Sequence, residues 1–205
     1  MNTSKTTPYM IGALIYDTSV IDAINRIKVT LGEVVGKDTL RECLPTMRPH
    51  ITFTPPFLAS YEIASRVNLA QIVHTGKLFN EFNDEDSNEQ TSSCTVLSPS
   101  WMKFNGIDIL HLPVILNPVL KNFIDKLRQN ILDNGLAYVN PIPDTEYYPH
   151  ITIAKGKGLC VKQEDVFKKQ FFDPIHTNLV QIDLLAKYVA TGWQWLHSDP
   201  SECIL

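Results

Sequence analysis

The sequence predicts an α+β protein made of two similar lobes. A strand-type pattern, a helix-type pattern and a second strand-type pattern follow one another twice along the chain. The tetrapeptide Pro-His-Ile-Thr stands in the last strand of both units, and its two copies lie 100 residues apart. This spacing is too long for a solenoid repeat and suits two lobes related by a pseudo-twofold axis.

The first unit begins with an apolar, β-prone strand over 8–17. Thr18 and Ser19 can then cap a helix, because the next apolar residues recur at helical spacing. These apolar residues are Val20, Ile21, Ala23, Ile24, Ile27 and Leu31. Residues 48–54 alternate polar and apolar side chains and stop at two prolines, which is typical of a half-buried strand. A second helix is predicted over 61–75 from its apolar spacing.

The second unit repeats this order of elements. An apolar strand is predicted over 107–116, followed by a helix that starts at Pro118 with Asn117 as its cap and ends at the Asn-Gly pair 134–135. A proline-rich turn leads into a second alternating strand over 150–154. The elements predicted to complete the second sheet are a helix and two strands: 163–170, 179–189 and 193–197.

The predicted organisation is one domain, 1–205, in which lobe 1 covers about 8–79 and lobe 2 covers about 101–205. The polar and acidic stretch at about 80–100 is the predicted loop between the lobes. Exchange of a strand between the lobes remains open at this point.

Composition excludes several classes of protein. Eighteen Lys and Arg stand against 22 Asp and Glu, and the net charge of −4 excludes a protein that coats nucleic acid non-specifically. Cys43, Cys94, Cys160 and Cys203 are far apart and form no C-x-x-C pair, which favours a reducing compartment and a cytoplasmic location. The apolar run over 9–16 is too short to span a membrane. We expect a monomer with no membrane contact and no obligatory protein partner.

The two copies of the tetrapeptide contain the candidate catalytic residues: His50, Thr52, His150 and Thr152. Residues i and i+2 of a strand project from one face, so each histidine points together with its threonine. Two such strands, central in two sheets that face each other across a cleft, would bring both pairs together. Cleavage of a phosphodiester needs a base for the nucleophile, an acid for the leaving oxygen and donors for the other oxygens. Imidazoles titrate near neutrality, so one can be the base and the other the acid, while threonine hydroxyls supply donors.

This pattern resembles the two-histidine (2H) phosphoesterases, also called LigT-like or 2′-5′ RNA ligase-like proteins. Their signature is a pair of His-x-Thr/Ser motifs on apolar strands, matched here by His50/Thr52 and His150/Thr152, and the resemblance spans most of 8–154. It implies a bilobal LigT-like fold of two pseudo-twofold-related antiparallel sheets, flanked by helices, around a central cleft. It also implies a phosphodiesterase without a metal or other cofactor. The substrates implied are 2′,3′-cyclic phosphates, 2′-5′ linked oligonucleotides and cyclic nucleotide messengers.

Four further residues are candidates for binding a small nucleotide or short oligonucleotide. Arg48 and Lys155 flank the two motifs and can offset the charge of a phosphate. Tyr148 and Trp193 can stack on a base. The other histidines lack the motif, and a surface or core role is predicted for each: His74, His111, His176 and His197. No metal site is predicted, because the sequence lacks H-x-x-x-H, H-E-x-x-H and His/Cys ligand spacings.

Two other functions stay open beside the phosphodiesterase. The first is a nucleotide or RNA-end binding module of the same fold without turnover. Intact histidines and threonines in both motifs favour the enzyme, since a binding module need not keep an acid and a base. The second is RNA ligation, the reverse of 2′-5′ cleavage at the same site. Within the enzyme hypothesis, we predict His50 as the base and His150 as the acid.

Overall fold

The structure, a computed structural model, describes residues 6–45, 48–67, 93–139, 148–159, 173–178, 184–189 and 192–195. Within these ranges the chain is a mixed α+β protein with four helices and an open, mostly antiparallel sheet of ten strands. The predicted α+β class is therefore confirmed. None of the described helices is long and apolar enough to cross a membrane.

The helices are α1 (Thr18–Val35), α2 (Lys37–Cys43), α3 (61–67) and α4 (Pro118–Asp133). Helix α3 covers the first part of the helix predicted over 61–75, and the rest of that helix lies outside the described residues. The helix predicted over 163–170 also lies outside them. Helix α2 was not predicted, because only its last residue is fully buried and its apolar pattern is short.

Side-chain caps determine where the two long helices begin. Asp17 caps α1, and its Oδ1 accepts hydrogen bonds from backbone N–H groups of the first turn, including that of Ser19 at 2.9 Å. The predicted cap at Thr18 and Ser19 is wrong by one or two residues, because the carboxylate just before them reaches the same donors. The predicted cap of α4 is confirmed, since Oδ1 of Asn117 accepts from the N–H of Leu120 at 2.7 Å.

The described strands are β1 (Thr7–Leu14), β2 (His50–Thr52), β3 (Phe57–Ala59), β4 (Ser93–Val96), β5 (Ser100–Phe104), β6 (Ile107–Leu116), β7 (His150–Gly156), β8 (Ile175–Asn178), β9 (Leu184–Val189) and β10 (Gly192–Trp195). Their order is β10-β9-β1-β2-β7-β6-β4-β8, with β3 beside β1 and β5 beside β6. Every pairing between these strands is antiparallel.

The sheet consists of two halves with the same ladder at their centres. In the first half β1 pairs with β2, and Gly12 lies opposite Thr52. In the second half β6 pairs with β7, and His111 lies opposite Thr152. Each motif strand therefore has the first strand of its own unit as a neighbour, in matching register.

The C-terminal strands extend the first half of the sheet, because β9 pairs with β1 and β10 pairs with β9. The sequence predicts the strands over 179–189 and 193–197 in the second sheet, and this prediction is wrong for β9 and β10. Local patterns do not encode which distant strand becomes a partner. The second half contains β4 instead, which pairs with β6 and lies inside the stretch 80–100 that was predicted to be a loop.

The two long helices pack against the core face of the sheet, and each contacts the opposite half. Ile51 and Ile151 are fully buried there, in one core cluster with the apolar sides of α1 and α4. Helix α1 contacts β7 and β8 of the second half. From α4, Phe123 packs edge-to-face on Phe53 at 6.4 Å, and Arg128 Nε donates to the Phe53 carbonyl at 2.9 Å. Each long helix thus supports the central strands of the opposite half.

Candidate active site

The two motif strands are neighbours in the sheet. β2 and β7 pair antiparallel, with Ile51 opposite Ile151, and this pair joins the two halves. The sequence predicts the motif strands on two sheets that face each other across a cleft. The structure instead places them side by side in one sheet, with their isoleucines pointing into the common core.

The four polar side chains of the motifs share the other face of these strands. Antiparallel pairing about the central isoleucines sets His50 beside Thr152 and Thr52 beside His150. All four residues are half-buried, in contrast to the isoleucines. The histidines are diagonal neighbours on the two strands, and such neighbours lie about 7–8 Å apart with their Cβ atoms somewhat closer.

Each motif histidine makes the same kind of hydrogen bond to the backbone. Nδ1 of His50 lies 2.8 Å from the carbonyl oxygen of Arg48, and Nδ1 of His150 lies 2.7 Å from that of Tyr148. A carbonyl oxygen only accepts, so Nδ1 donates its proton in each pair. Nε2 is then the nitrogen of each ring that takes up or releases a proton.

A β-bulge follows the motif in both halves. In the first half the N–H groups of Phe53 and Thr54 both donate to the carbonyl of Ile11, at 2.8 and 3.2 Å. In the second half the register of β6 and β7 shifts after Leu110, which leaves Ile153 as the extra residue. The two halves therefore share a β-bulge as well as the four-residue motif.

The second bulge brings Lys155 to the face of the candidate site. Without it, strict alternation would place Lys155 on the side opposite to Thr152. With the extra residue, Lys155 lies opposite Ile109, which shares a face with His111 two residues on. Lys155 is exposed, and its charge is one cause of the lowered pKa of His50.

Burial makes both motif imidazoles easier to deprotonate. Burial lowers the pKa of His50, the bond to the Arg48 carbonyl opposes this, and the charges of His150 and Lys155 lower it further. Burial also lowers the pKa of His150, against the effect of its bond to the Tyr148 carbonyl. A positive charge on His150 therefore disfavours a second positive charge on His50.

Tyr148 lies next to the second motif, and its backbone carbonyl accepts a hydrogen bond from the motif histidine. Its ring stacks on that of His150, with centroids 6.5 Å apart and an interplanar angle of 23°. The side chain is 48% exposed, so part of its surface is accessible to a ligand.

His111 belongs to this cluster, although its sequence context predicts only a surface or core role. It is buried, and its ring lies 5.4 Å from that of His150 and 5.5 Å from that of Tyr148. Burial, and then the charge of His150, lower the pKa of His111 to about 4, against its bond to the Ile109 carbonyl. No repeated pattern in the sequence marks it, because Gly12 holds the matching place in the first half, opposite the motif threonine.

The other two candidate residues differ in their relation to the motifs. Arg48 precedes β2, is half-buried and contributes the carbonyl that holds His50. Trp193 lies on β10, opposite Tyr188 of β9. Strands β9 and β1 separate it from β2. Three strand spacings of about 4.8 Å put its backbone about 14 Å from the motif strands. The structure therefore does not bring the Trp193 backbone next to the site.

Comparison of the sequence with protein-family models and with curated proteins finds no match. Within the described ranges, no group of three or more His, Cys, Asp or Glu side chains is arranged to hold a metal ion.

Proposed function

We propose that the protein is a metal-independent phosphodiesterase of the 2H phosphoesterase class that cleaves a small nucleotide or RNA-derived phosphodiester. One observation carries the proposal. Two His-x-Thr motifs lie on adjacent antiparallel strands, and because Nδ1 of each histidine donates to a backbone carbonyl, Nε2 is the atom that exchanges a proton. The two halves of the sheet, which meet at β2 and β7, would then be the lobes of a LigT-like fold.

In the proposed reaction His50 is the base and His150 is the acid. For a 2′-5′ linkage, Nε2 of His50 removes the proton of the adjacent 3′-hydroxyl, and that oxygen attacks phosphorus. The bond from phosphorus to the 5′-oxygen breaks, and His150 donates its Nε2 proton to this leaving oxygen. The products are a 2′,3′-cyclic phosphate and a 5′-hydroxyl. With a cyclic phosphate as substrate, water replaces the attacking hydroxyl.

The remaining candidate residues suit an anionic diester. The hydroxyls of Thr52 and Thr152 can donate to the non-bridging oxygens, where negative charge accumulates in the transition state. Lys155 adds a positive charge near His50. The open ring of Tyr148 offers a stacking surface for a base on the His150 side, which is the side of the leaving group. The net charge of −4 favours short substrates over long RNA.

The test is turnover on a panel of diesters by the wild type and by His50→Ala and His150→Ala. The panel contains 2′,3′-cyclic mononucleotides, 2′-5′ and 3′-5′ oligoadenylates, cyclic dinucleotides and an activated aryl diester. Each substitution should lower turnover by at least the roughly 10²- to 10⁴-fold that a positioned acid or base contributes. An activated leaving group should rescue the His150 variant and leave the His50 variant slow, because only the acid is then dispensable.

His176→Ala is the matched control, since His176 is exposed and bonds Thr95 on the far strands of the second half. All proteins are first checked for native circular dichroism and are dialysed against a chelator, which activity should survive. Near-normal turnover of either motif variant would defeat the paired-histidine mechanism. Tight binding of a panel member by a protein that turns over none of them would favour the binding module instead.

A further inference from the structure

The two ends of the candidate site differ in chemistry, although the motifs at its centre are identical. Just outside the two Pro-His-Ile-Thr copies, matching places of the repeat hold different residues. Arg48 stands two residues before the first motif histidine, and Tyr148 stands two residues before the second. Lys155 follows the second motif threonine by three residues, and the matching residue after the first is Pro55, which is buried.

Antiparallel pairing collects the basic residues of both units at one end of the site. Strands β2 and β7 run in opposite directions, with Ile51 opposite Ile151, so the start of one strand lies beside the end of the other. Arg48 comes just before β2, and Lys155 lies near the end of β7. Both therefore lie at the same end of the site, on the side of His50.

The opposite end of the site, on the side of His150, is aromatic and apolar. Tyr148 lies there, with its ring stacked on that of His150. On β6, Pro113 pairs with His150, and the exposed Ile115 lies on the same face two residues further along the strand. A site with a cation at one end and an aromatic ring at the other binds an asymmetric substrate in one direction.

Lys155 is the basic residue that a ligand can reach at the first end. It is exposed, and none of the ion pairs among the described residues includes it. The second β-bulge places it opposite Ile109, on the face of the motif residues. Successive residues on one face of a strand lie about 6–7 Å apart, so Lys155 is one step beyond Thr152 and outside the group of four motif side chains. Its charge still reaches His50 and contributes to the lowered pKa of that imidazole.

We propose that Lys155 binds a second phosphate of the substrate, on the side of the attacking hydroxyl. This inference rests on the function proposed above, in which His50 activates that hydroxyl. A scissile diester has a single negative charge, which the protonated His150 balances at the centre of the site. A phosphate monoester has a charge of about −1.5 to −2 at pH 7 and three acceptor oxygens, and it forms charge-assisted hydrogen bonds with a lysine ammonium. In a 2′-5′ linked oligonucleotide, the second phosphate is the one on the 5′-carbon of the nucleoside that carries the attacking hydroxyl.

Binding of two phosphate monoesters, which contain no diester bond to cleave, tests the subsite without turnover. The probes are adenosine 2′-monophosphate and adenosine 2′,5′-bisphosphate, measured by calorimetry at one ionic strength. We expect the wild type to bind the bisphosphate at least about tenfold more tightly, as for one hydrogen bond to a charged group. Lys155→Gln should bring this ratio close to one, and Lys155→Arg should retain most of it. Lys121→Gln is the matched control, because it removes the same charge from an exposed position on α4 and should leave the ratio unchanged.

Turnover distinguishes a second phosphate from the scissile one. The substrates are 2′-5′ diadenylate with and without a 5′-phosphate, and Lys155→Gln should lower kcat/KM about tenfold more for the phosphorylated one. Equal losses of affinity or of kcat/KM for both members of a pair would assign Lys155 to the scissile phosphate and overturn the proposal. A wild type that cleaves diesters and shows no preference for the bisphosphate would keep the phosphodiesterase and exclude the subsite. A preference that depends on Lys155 in a protein that cleaves no diester would contradict the phosphodiesterase and leave the subsite intact.

Discussion

The orientation of the motif histidines originates in the two residues before each of them. Pro49 and Pro149 fix their own φ and push the preceding residue, Arg48 or Tyr148, into extended backbone. An extended residue at this position turns its carbonyl toward the imidazole two residues on, and both hydrogen bonds are short, at 2.8 and 2.7 Å. The tetrapeptide therefore encodes the tautomer of the ring as well as its place on the strand.

Removing one hydroxyl from a motif should slow the reaction without disturbing the fold. Thr52→Val and Thr152→Val keep the β-branched shape that a strand favours and delete a donor to the phosphoryl oxygens. We expect turnover to fall on the order of 10- to 10³-fold in each variant, as for loss of one oxyanion donor. The measurement is kcat on the best diester of the panel. Thr→Ser at the same positions restores the donor and should recover most of the rate, so equal losses in the Val and Ser variants would contradict the role of the hydroxyl.

At this scale the sequence pointed to residues that a repeat singles out and missed those that only packing reveals. The motif histidines stood out because the same tetrapeptide occurs twice, and Tyr148 because it adjoins one copy. His111 has no counterpart in the first unit, where Gly12 takes its place, so no repeated pattern marked it. The approach of Lys155 to the site depends on a bulge, which alternation of side chains alone does not predict.

Among the elements, the long and strongly patterned ones were predictable. The strand predicted over 107–116 coincides with β6, and the helix predicted from Pro118 is α4. Strand β5 was missed because most of its residues are half-buried or exposed and show little apolar alternation. A local signal for it was present in the turn that follows. Asn105 and Gly106 both have positive φ, 49° and 75°, as the two-residue turn of a tight hairpin requires.

The approach of β1 to β2 depends on the absence of a side chain at Gly12. In Gly12→Ala the new Cβ would overlap the Ile51 carbonyl oxygen at 2.4 Å, and the two strands would have to separate. We expect the free energy of unfolding to fall by about 1–3 kcal/mol, the usual effect of overpacking, measured by urea denaturation. Turnover should fall as well, since β2 carries His50.

Gly32→Ala provides the matched control for this substitution. Gly32 lies in α1, where the nearest atom to a new Cβ is the flexible Cδ2 of Leu40 at 3.0 Å. Alanine is the better helix former by about 1 kcal/mol, so this variant should be as stable as the wild type or more so. A similar loss of stability in both variants would show that close approach at β2 is not the cause.

The two halves of the sheet meet at the strands that carry the candidate catalytic residues. β2 and β7 join the two halves at one isoleucine pair, and the core beneath that pair contains apolar residues of both long helices. The first half also contains β9 and β10, so the N-terminal strand β1 is central and not an edge. Such long-range pairing depends on the whole fold, which explains why the sequence predicted the units and not their connection.

The pH dependence of the rate tests the division of roles across the entire site. The kcat/KM of the free enzyme should rise with pH as His50 loses its proton and fall as His150 loses its own. Burial lowers the pKa of both rings, so both limbs should lie on the acid side of about 6.5, the value of an unperturbed histidine. A bound phosphodiester is negatively charged and favours the charged imidazoles, so the kcat profile should be displaced to higher pH.

The two limbs belong to the coupled pair, and the single-histidine variants should each lose one of them. A flat profile between about pH 5 and 9, with chemistry shown to be rate-limiting by the leaving-group dependence, would exclude catalysis by two imidazoles.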